Sequence, residues 1–312
     1  MRTLAVDLGG SHATCALVED KQILASRTVP ADRANSLQLL LPSLTETLDG
    51  IRGEISGSNL TGVAFGFCGL VDHARGRILS TNAKFDDAPG LDLVAWCRKE
   101  LDLPVKVEND ARLALLGEWY AGAAQQCDDV VMITLGTGIG GAAMSQGRLL
   151  RGKHSQAGCL GGHLPVDFEG RSCSCGAIGC AEAEASSVSL PDVCRSHPRF
   201  SSSPLAAESA ITFEALFYHL AQGDRVAQDV TDRCLRVWAT NIVGLIHAYD
   251  PELIIVGGGV MKSATRILPF LQNYVEQHAW TPWGKVRVAG AELGSNAALL
   301  GAVPLLQGLA DP

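Results

Sequence analysis

The chain has 312 residues, of which 47% are hydrophobic, and it carries a net charge of -8. This acidic balance argues against the basic face that nucleic-acid binding needs. The apolar fraction suffices for a large core, and the length suggests two domains. No apolar run is long enough to cross a membrane, and Met1–Asp7 has no signal-peptide core. We therefore expect a cytoplasmic α/β protein with neither nucleic-acid nor membrane partners.

The first half of the chain alternates apolar strands with amphipathic helices. Strands are predicted at 3–7, 13–18, 23–29, 61–67 and 104–107. Helices are predicted at 36–48, 91–101 and 111–124, with Asn109 or Asp110 as the cap of the third. The polar stretch 50–59 is predicted to be a loop.

The second half repeats this organisation. Strands are predicted at 130–135, 142–145, 253–256 and 285–288, and helices at 224–249, 267–279 and 297–306. The run from Ala5 to Ser11 resembles the run from Ile133 to Gly138, because each is a strand that ends in a Gly-rich turn before another strand. We interpret this as a weak internal repeat with one copy in each domain.

One imidazole and three thiols lie close together between His163 and Cys180, with Cys173 and Cys175 between them. One His and three Cys form a standard closed set for structural Zn²⁺, and the glycines of this segment allow a tight loop. The alternatives are a loop of reduced cysteines or a disulfide, although Cys173 and Cys175 are too close for a relaxed one. The seven scattered cysteines are expected to be reduced and buried.

Three Gly-rich turns could approach an anion through backbone N–H groups. They are Gly9-Gly10-Ser11, Gly136-Thr137-Gly138 with the glycines that follow, and Gly257-Gly258-Gly259. Asp7, at the end of the first strand, could hold a hydrated Mg²⁺. For the first turn taken alone an ordinary hairpin turn is the favoured explanation, and the third taken alone could also be a tight turn. Two strand–turn–strand phosphate loops, one in each half, fit a nucleotide clamped between two domains better than a dinucleotide fingerprint.

The cluster Glu108-Asn109-Asp110 stands where a strand ends and a helix begins. A carboxylate held there can accept a proton from a hydroxyl nucleophile, and an amide beside it can bind neighbouring hydroxyls. Plain helix capping is an equally good explanation of the same residues.

Taken together and in order, these segments resemble the ROK family of repressors and sugar kinases, within the actin/hexokinase/Hsp70 superfamily. The resemblance covers nearly the whole chain. It is carried by two phosphate motifs, a catalytic motif, a cysteine signature and an adenosine motif, which lie at Asp7–Ser11, Leu135–Gly140, Glu108–Ala111, Cys173–Glu182 and Asp250–Gly259.

The resemblance implies a two-domain actin-like ATPase (ribonuclease H-like) fold with an interdomain cleft and a zinc-braced loop. It implies a small domain of 1–111 plus 297–312 and a large domain of 112–296. It implies an ATP-dependent hexose kinase that uses Mg²⁺ and structural Zn²⁺ and forms a homodimer or tetramer. The phosphoryl acceptor would be the 6-hydroxyl of glucose or of a related or N-acylated hexose.

The resemblance also assigns residues. Asp110 would be the general base. The sugar would be bound by Asn109, Asp110, His163, Glu182, Gly69 and Asn82. ATP and Mg²⁺ would be bound by Asp7, Gly9, Gly10, Ser11, Gly136, Thr137, Gly138, Gly257 and Gly258. The zinc ligands would be His163, Cys173, Cys175 and Cys180.

Three positions depart from the family pattern. Ser11 replaces a Thr and keeps the hydroxyl, and Cys68 replaces a Pro in a wall of the sugar pocket. Leu160 stands where the family has a Glu that binds sugar hydroxyls, and each lost charged hydrogen bond costs about 1.5–3 kcal/mol of binding. A deoxy or N-acylated sugar would suit Leu160 better than plain glucose.

Two other functions compete with the kinase. A catalytically weak sugar sensor of the same family is suggested by Leu160 and Cys68, whereas Asp7, Asp110 and both phosphate turns favour catalysis. A repressor would need a helix-turn-helix segment, yet the first strand is predicted to begin by Thr3 and the charge is acidic.

Overall fold

A computed structural model describes residues 1–9, 12–31, 35–54, 59–81 and 84–311. The chain divides into two compact units. The first comprises Met1–Asp128, Ala143–Cys159 and Glu292–Pro312, and the second comprises Asp129–Ala142 and Leu160–Ala291. Residues 112–128, 143–159 and 292–296 thus lie in the first unit, whereas the family resemblance placed them in the large domain, and the division into folding domains stays a prediction.

The first unit is built on a five-stranded sheet with strand order β3-β2-β1-β4-β7. Its strands are β1 Arg2–Leu8, β2 His12–Glu19, β3 Gln22–Pro30, β4 Leu60–Phe67 and β7 Val105–Asn109. β1, β4 and β7 are parallel, and their register aligns Asp7 with Gly66 and Gly66 with Glu108. The carboxyl ends of these three strands therefore meet at one edge of the sheet.

Helix α1, Leu37–Gly53, covers this sheet with a buried stripe that includes Leu44, Leu48 and Ile51. The predicted loop at 50–59 is therefore wrong at 50–53, and 55–58 lie outside the described residues. Burying Ile51 is worth about 1.5–3 kcal/mol, which exceeds the cost of about 1 kcal/mol for Gly50 inside a helix.

A short hairpin that the sequence did not predict follows β4. It consists of β5 Gly69–Asp72 and β6 Arg77–Thr81, which pair antiparallel as a separate two-stranded sheet. These strands are short and largely half-buried or exposed, so they lack the apolar run by which the longer strands were found.

The second sheet has the order β10-β9-β8-β11-β12. Its strands are β8 Val130–Leu135, β9 Ile139–Ser145, β10 Arg148–Leu149, β11 Leu253–Gly257 and β12 Arg287–Gly290. If the strands of each sheet are numbered separately along the chain, both sheets read 3-2-1-4-5. The weak internal repeat predicted from the two Gly-rich turns is therefore confirmed in the topology.

The other predicted helices agree with the structure in place and type, and the described residues add three α-helices that the sequence did not predict. The helices after α1 are α2 Leu93–Leu101, α3 Asp110–Ala121, α4 Ala181–Ala185, α5 Leu190–Arg195, α6 Phe213–Ala221, α7 Arg225–Tyr249, α8 Ala264–His278, α9 Ala297–Leu300 and α10 Ala302–Gln307. The single helix predicted at 297–306 is interrupted at Gly301, because Pro304 has no N–H for the carbonyl of Leu300. Within the described ranges, no helix is long and apolar enough to cross a membrane.

Candidate functional site

Four potential metal ligands converge in the second unit. The ligand atoms of His163, Cys173, Cys175 and Cys180 all lie within 4.8 Å of one another. Cys173 Sγ is 3.4 Å from His163 Nδ1, and Cys175 Sγ is 3.7 Å from Cys180 Sγ. All ten cysteines lie in the described ranges and none forms a disulfide. The structure thus brings together the four residues that the sequence singled out.

These separations fit zinc. With a Zn–S distance of about 2.3 Å, two ligands of a tetrahedral ion stand about 3.8 Å apart. The other ring nitrogen of His163, Nε2, lies 3.9 Å from Glu182 Oε1. A carboxylate on the far nitrogen is the usual partner that orients a metal-binding imidazole. Of the other cysteines, five are buried as expected, whereas Cys68 and Cys127 are partly exposed.

Helix α4 begins immediately after Cys180 and carries two acidic side chains with different partners. Glu184 is fully buried, accepts a hydrogen bond from Arg171 N at 2.5 Å, and pairs with Arg233 of α7 at 2.5 Å. Glu182 Oε2 accepts a hydrogen bond from Ile139 N at 2.8 Å. The helix therefore connects the cysteine loop to α7 on one side and to the start of β9 on the other.

The turn between β8 and β9 consists of Gly136, Thr137 and Gly138, and the N–H of Gly136 donates to Gly138 O at 3.0 Å. Among the described residues, the amides of Thr137 and Gly138 donate to no protein acceptor. A Cβ on Gly138 would lie 2.3 Å from Glu182 Oε2, so a side chain there would displace the Glu182 carboxylate. Two adjacent free amides in a turn form a small concavity that favours an anion.

Gly257 and Gly258 lie beside this turn, because β11 runs parallel to β8 with Gly257 opposite Thr134. Gly258 has a φ of 93°, and a Cβ there would lie 2.2 Å from Leu135 O. A side chain at Gly258 would therefore be both strained and blocked. The second predicted phosphate turn and the predicted adenosine glycines share one edge of the second sheet.

In the first unit, Asp110 is the first residue of α3 and Asn109 is its cap. Asn109 Oδ1 accepts Arg112 N at 3.1 Å, while its Nδ2 donates to Gly69 O at 3.1 Å and to Asp110 Oδ1 at 3.0 Å. Asn109 therefore caps the helix and also orients Asp110. A Cβ on Gly69 would lie 2.4 Å from Ser80 O, which explains the glycine.

Only one oxygen of the Asp110 carboxylate accepts hydrogen bonds from the described residues. Its Oδ1 also accepts Ala111 N at 2.8 Å, and within the described part of the chain Oδ2 has no partner. Burial, followed by the negative charge of Asp7, raises the pKa of Asp110 to about 7. Burial likewise raises the pKa of Asp7 to about 6. Desolvation raises the pKa of the nearby Cys68 thiol to about 12.

Not every predicted site residue can be placed. Gly10, Ser11 and Asn82 lie outside the described residues. Gly9 follows β1, and its N–H donates to His12 O at 3.1 Å. Leu160 is 38% exposed and immediately precedes the short turn of 3-10 helix that contains His163.

A buried network of charges that the sequence did not predict surrounds Glu108, the residue before the Asn109 cap. Glu108 is fully buried, and its Oε2 lies 2.8 Å from Arg151 Nε and 3.5 Å from His73 Nδ1. Its Oε1 lies 3.4 Å from Arg112 Nη1. Asp311 extends the network, with Oδ1 3.0 Å from Arg151 Nη1. Glu108 lies in strand β7 and Arg112 in helix α3, so neither the helical nor the strand periodicity predicts this pair from the sequence.

Arg112, which is also fully buried, connects this network to the segment after β10. Its Nη2 donates to Ser155 O at 3.0 Å and to Ala157 O at 2.6 Å. The network therefore holds the start of α3, which carries Asp110, against residues 151–157.

A comparison with protein families matches residues 3–308 to the model described as the ROK family. The chain belongs to the ROK family. A glucokinase of Thermotoga maritima is 30% identical over 318 residues, covering 98% of each chain. An N-acetylmannosamine kinase of Escherichia fergusonii is 32% identical over 312 residues, covering 99% of each chain.

Among solved structures, a ROK family glucokinase from Streptomyces griseus in complex with glucose and AMPPNP is 28% identical, with a TM-score of 0.81. The match covers 99% of this chain and 100% of that chain. The predicted fold class is therefore confirmed: the chain has the α/β fold of ROK kinases, with two mixed sheets of equivalent strand order.

Proposed function

We propose that this chain is an ATP-dependent hexose kinase that transfers the γ-phosphoryl group of ATP to a sugar hydroxyl. The acceptor is the 6-hydroxyl of glucose or of a related or N-acylated hexose. Glucokinases and an N-acetylmannosamine kinase at nearly equal identity support this class of substrate without choosing between its members.

The observation that carries the proposal is the hydrogen bonding and the raised pKa of the Asp110 carboxylate. Two donors, Asn109 Nδ2 and Ala111 N, hold Oδ1, which leaves Oδ2 available to a substrate. A pKa raised to about 7 lets this carboxylate take a proton near neutral pH. The sugar O–H proton passes to Asp110 Oδ2, the oxygen bonds to the γ-phosphorus, the bond from that phosphorus to the β–γ bridging oxygen breaks, and ADP leaves.

Backbone groups and one carboxylate are assigned to the nucleotide. The free amides of Thr137 and Gly138 would bind phosphate oxygens, and Gly257 and Gly258 would lie against the adenosine. Asp7 is half-buried and has no hydrogen-bond partner among the described residues, which fits a magnesium ligand because hard cations prefer carboxylate oxygens. Mg²⁺ would neutralise the charge that develops on the phosphates.

The cysteine cluster is proposed to bind a structural Zn²⁺ that braces the loop and takes no part in the chemistry. His163 would hold the metal through Nδ1, and its Nε2 faces Glu182, which would bind sugar hydroxyls together with Asn109. Leu160 would favour a sugar whose facing position is deoxy or N-acylated. A homodimer or tetramer and a cytoplasmic location stay predictions.

The test is coupled ADP release by zinc-replete protein with Mg-ATP and a panel of hexoses that includes glucose, mannose and N-acetylmannosamine. Asp110→Asn keeps the size of the side chain and should lower kcat by about 10²- to 10⁴-fold, the contribution of a general base. Asp49→Asn, an exposed position on α1, is the matched control and should retain wild-type kcat.

The alternative is a sugar-binding sensor with vestigial catalysis. Isothermal titration with the same sugars separates the two functions. Binding of a sugar without ADP release would establish the sensor, whereas turnover that disappears in Asp110→Asn establishes the kinase. Turnover that persists in Asp110→Asn would refute the assignment of the base.

A further inference from the structure

The segment that follows α4 holds the turn Gly136–Gly138 by its carbonyl groups. Ser187 N donates to Gly136 O at 3.0 Å, and Val188 N donates to Thr137 O at 3.2 Å. These bonds lie within the second unit and involve no side-chain atom. The side chain of Val188 is 69% exposed, so its contribution here is its backbone.

Peptide planarity links these carbonyls to the free amides of the turn. The carbonyl of Gly136 and the N–H of Thr137 belong to one peptide plane, and the carbonyl of Thr137 and the N–H of Gly138 belong to the next. In a trans peptide the two groups point in opposite directions. Fixing the two carbonyls therefore fixes the direction of the two N–H groups that have no protein acceptor.

Two serine hydroxyls close the segment Ser186–Ser189, which we call the serine clasp. Ser186 N donates to Ser189 Oγ at 2.9 Å, Ser189 N donates to Ser186 Oγ at 3.2 Å, and the two hydroxyl oxygens are 3.2 Å apart. Ser186 is 3% exposed. This reciprocal pattern is the same physical device as a capping box, in which each side chain satisfies a backbone donor of the other residue.

The clasp sets the conformation of the two residues between the serines. Ser187 and Val188 supply the N–H groups that hold the turn, and both are enclosed by the Ser186–Ser189 bonds. Without these bonds the peptide groups of Ser187 and Val188 could rotate, and the two carbonyls of the turn would lose their fixed donors.

We propose that Ser186 and Ser189 are positioning residues for the ATP phosphates, acting through the peptide planes of Gly136–Gly138. This inference rests on the proposed function, in which the amides of Thr137 and Gly138 bind those phosphates. The clasp touches no substrate itself. Its loss lowers the affinity for ATP and leaves the affinity for sugar unchanged. Among the described residues assigned to the sugar, the two serines contact only Glu182, whose backbone carbonyl accepts from Ser189 Oγ and from Ser186 N, and they do not contact its side chain.

The experiment compares Ser186→Ala and Ser189→Ala with Ser187→Ala. The hydroxyl of Ser187 has no hydrogen-bond partner in the described ranges, and its N–H survives the substitution, so Ser187→Ala is a matched control from the same segment. Ser189→Thr restores a hydroxyl. The two readouts are residue-resolved hydrogen exchange without nucleotide and the separate KM values for ATP and sugar.

Loss of one hydrogen bond of ordinary strength corresponds to about a fivefold change in affinity. We expect faster exchange at the amides of Ser187 and Val188 and about a fivefold rise in KM for ATP in both clasp variants. The KM for sugar should not change, and Ser187→Ala and Ser189→Thr should behave as the wild type. A purely structural role would instead raise both KM values or lower Tm alone.

Unchanged exchange at Ser187 and Val188 in the clasp variants would overturn the inference whatever the substrate is. Faster exchange without a change in KM for ATP would also overturn it, because the held peptide planes would then not position the phosphates. If wild-type protein neither binds Mg-ADP nor releases ADP with any sugar, the proposed function fails and the inference fails with it. The exchange data are collected without nucleotide. They therefore distinguish a failure of the proposed function from a clasp that does not hold the turn.

Discussion

Two ion pairs of the first unit have the same length and differ in burial. The distance from Arg151 Nε to Glu108 Oε2 and the distance from Arg2 Nε to Glu19 Oε1 are both 2.8 Å. The side chain of Glu108 is 0% exposed, and that of Glu19 is 38% exposed. Replacing each glutamate by glutamine keeps its shape and removes its charge, so the comparison contrasts a buried carboxylate within a network of basic side chains with a more exposed carboxylate in a single ion pair.

Glu108→Gln should lower the free energy of unfolding of the first unit by about 3–5 kcal/mol, the usual cost of removing one partner of a buried ion pair. Arg112 is buried as completely as Glu108 and would keep its charge without that carboxylate. Glu19→Gln should cost at most about 1 kcal/mol, because water solvates the Arg2 guanidinium that remains.

Native-state hydrogen exchange at the amides of β1, the middle strand of the first sheet, measures the free energy of opening of this unit directly. The two variants and the wild type would be compared at one pH and temperature. Equal losses in Glu108→Gln and Glu19→Gln would refute the reasoning, because they would show that burial does not set the strength of these pairs.

The site residues lead to four further expectations. The pKa of Asp110, raised to about 7 by burial and by Asp7, predicts that kcat/KM rises with pH through about 7, and a flat profile there would contradict its role as base. Because the folded protein holds this proton more tightly than the unfolded chain, the same group makes the protein less stable as pH rises from 3.8 towards about 7, which pH-dependent denaturation would detect. Cys175→Ser should lower the zinc content measured by elemental analysis and lower Tm, while Cys127→Ser, outside the cluster, should retain the metal. Leu160→Glu should change the ranking of the sugars in the ADP-release assay, and an unchanged ranking would contradict the proposed effect of Leu160 on specificity.

Much of the fold could be predicted because its signals are local. The long strands are apolar runs, α3 and α7 carry Asn109 and Asp224 as caps, and the two Gly-rich turns follow strands of the same type. The prediction was wrong at 50–53, where the burial of Ile51 outweighs the helix-breaking tendency of Gly50. A glycine is only a weak signal for the end of a helix when the next apolar residue of the buried stripe packs into the core.

The sequence by itself determined the cysteine cluster and the position of Asp110, because their neighbours lie close along the chain. His163 and Cys180, for example, are 17 residues apart, and a Gly-rich loop can bring such groups together without help from the rest of the fold. Only the tertiary structure decided the partners of Glu108 and Glu182. Arg151 is 43 residues from Glu108, and Ile139 is 43 residues from Glu182. Hydrogen bonds and ion pairs across such separations depend on which strands become neighbours, and residue spacing in the sequence does not predict that pairing.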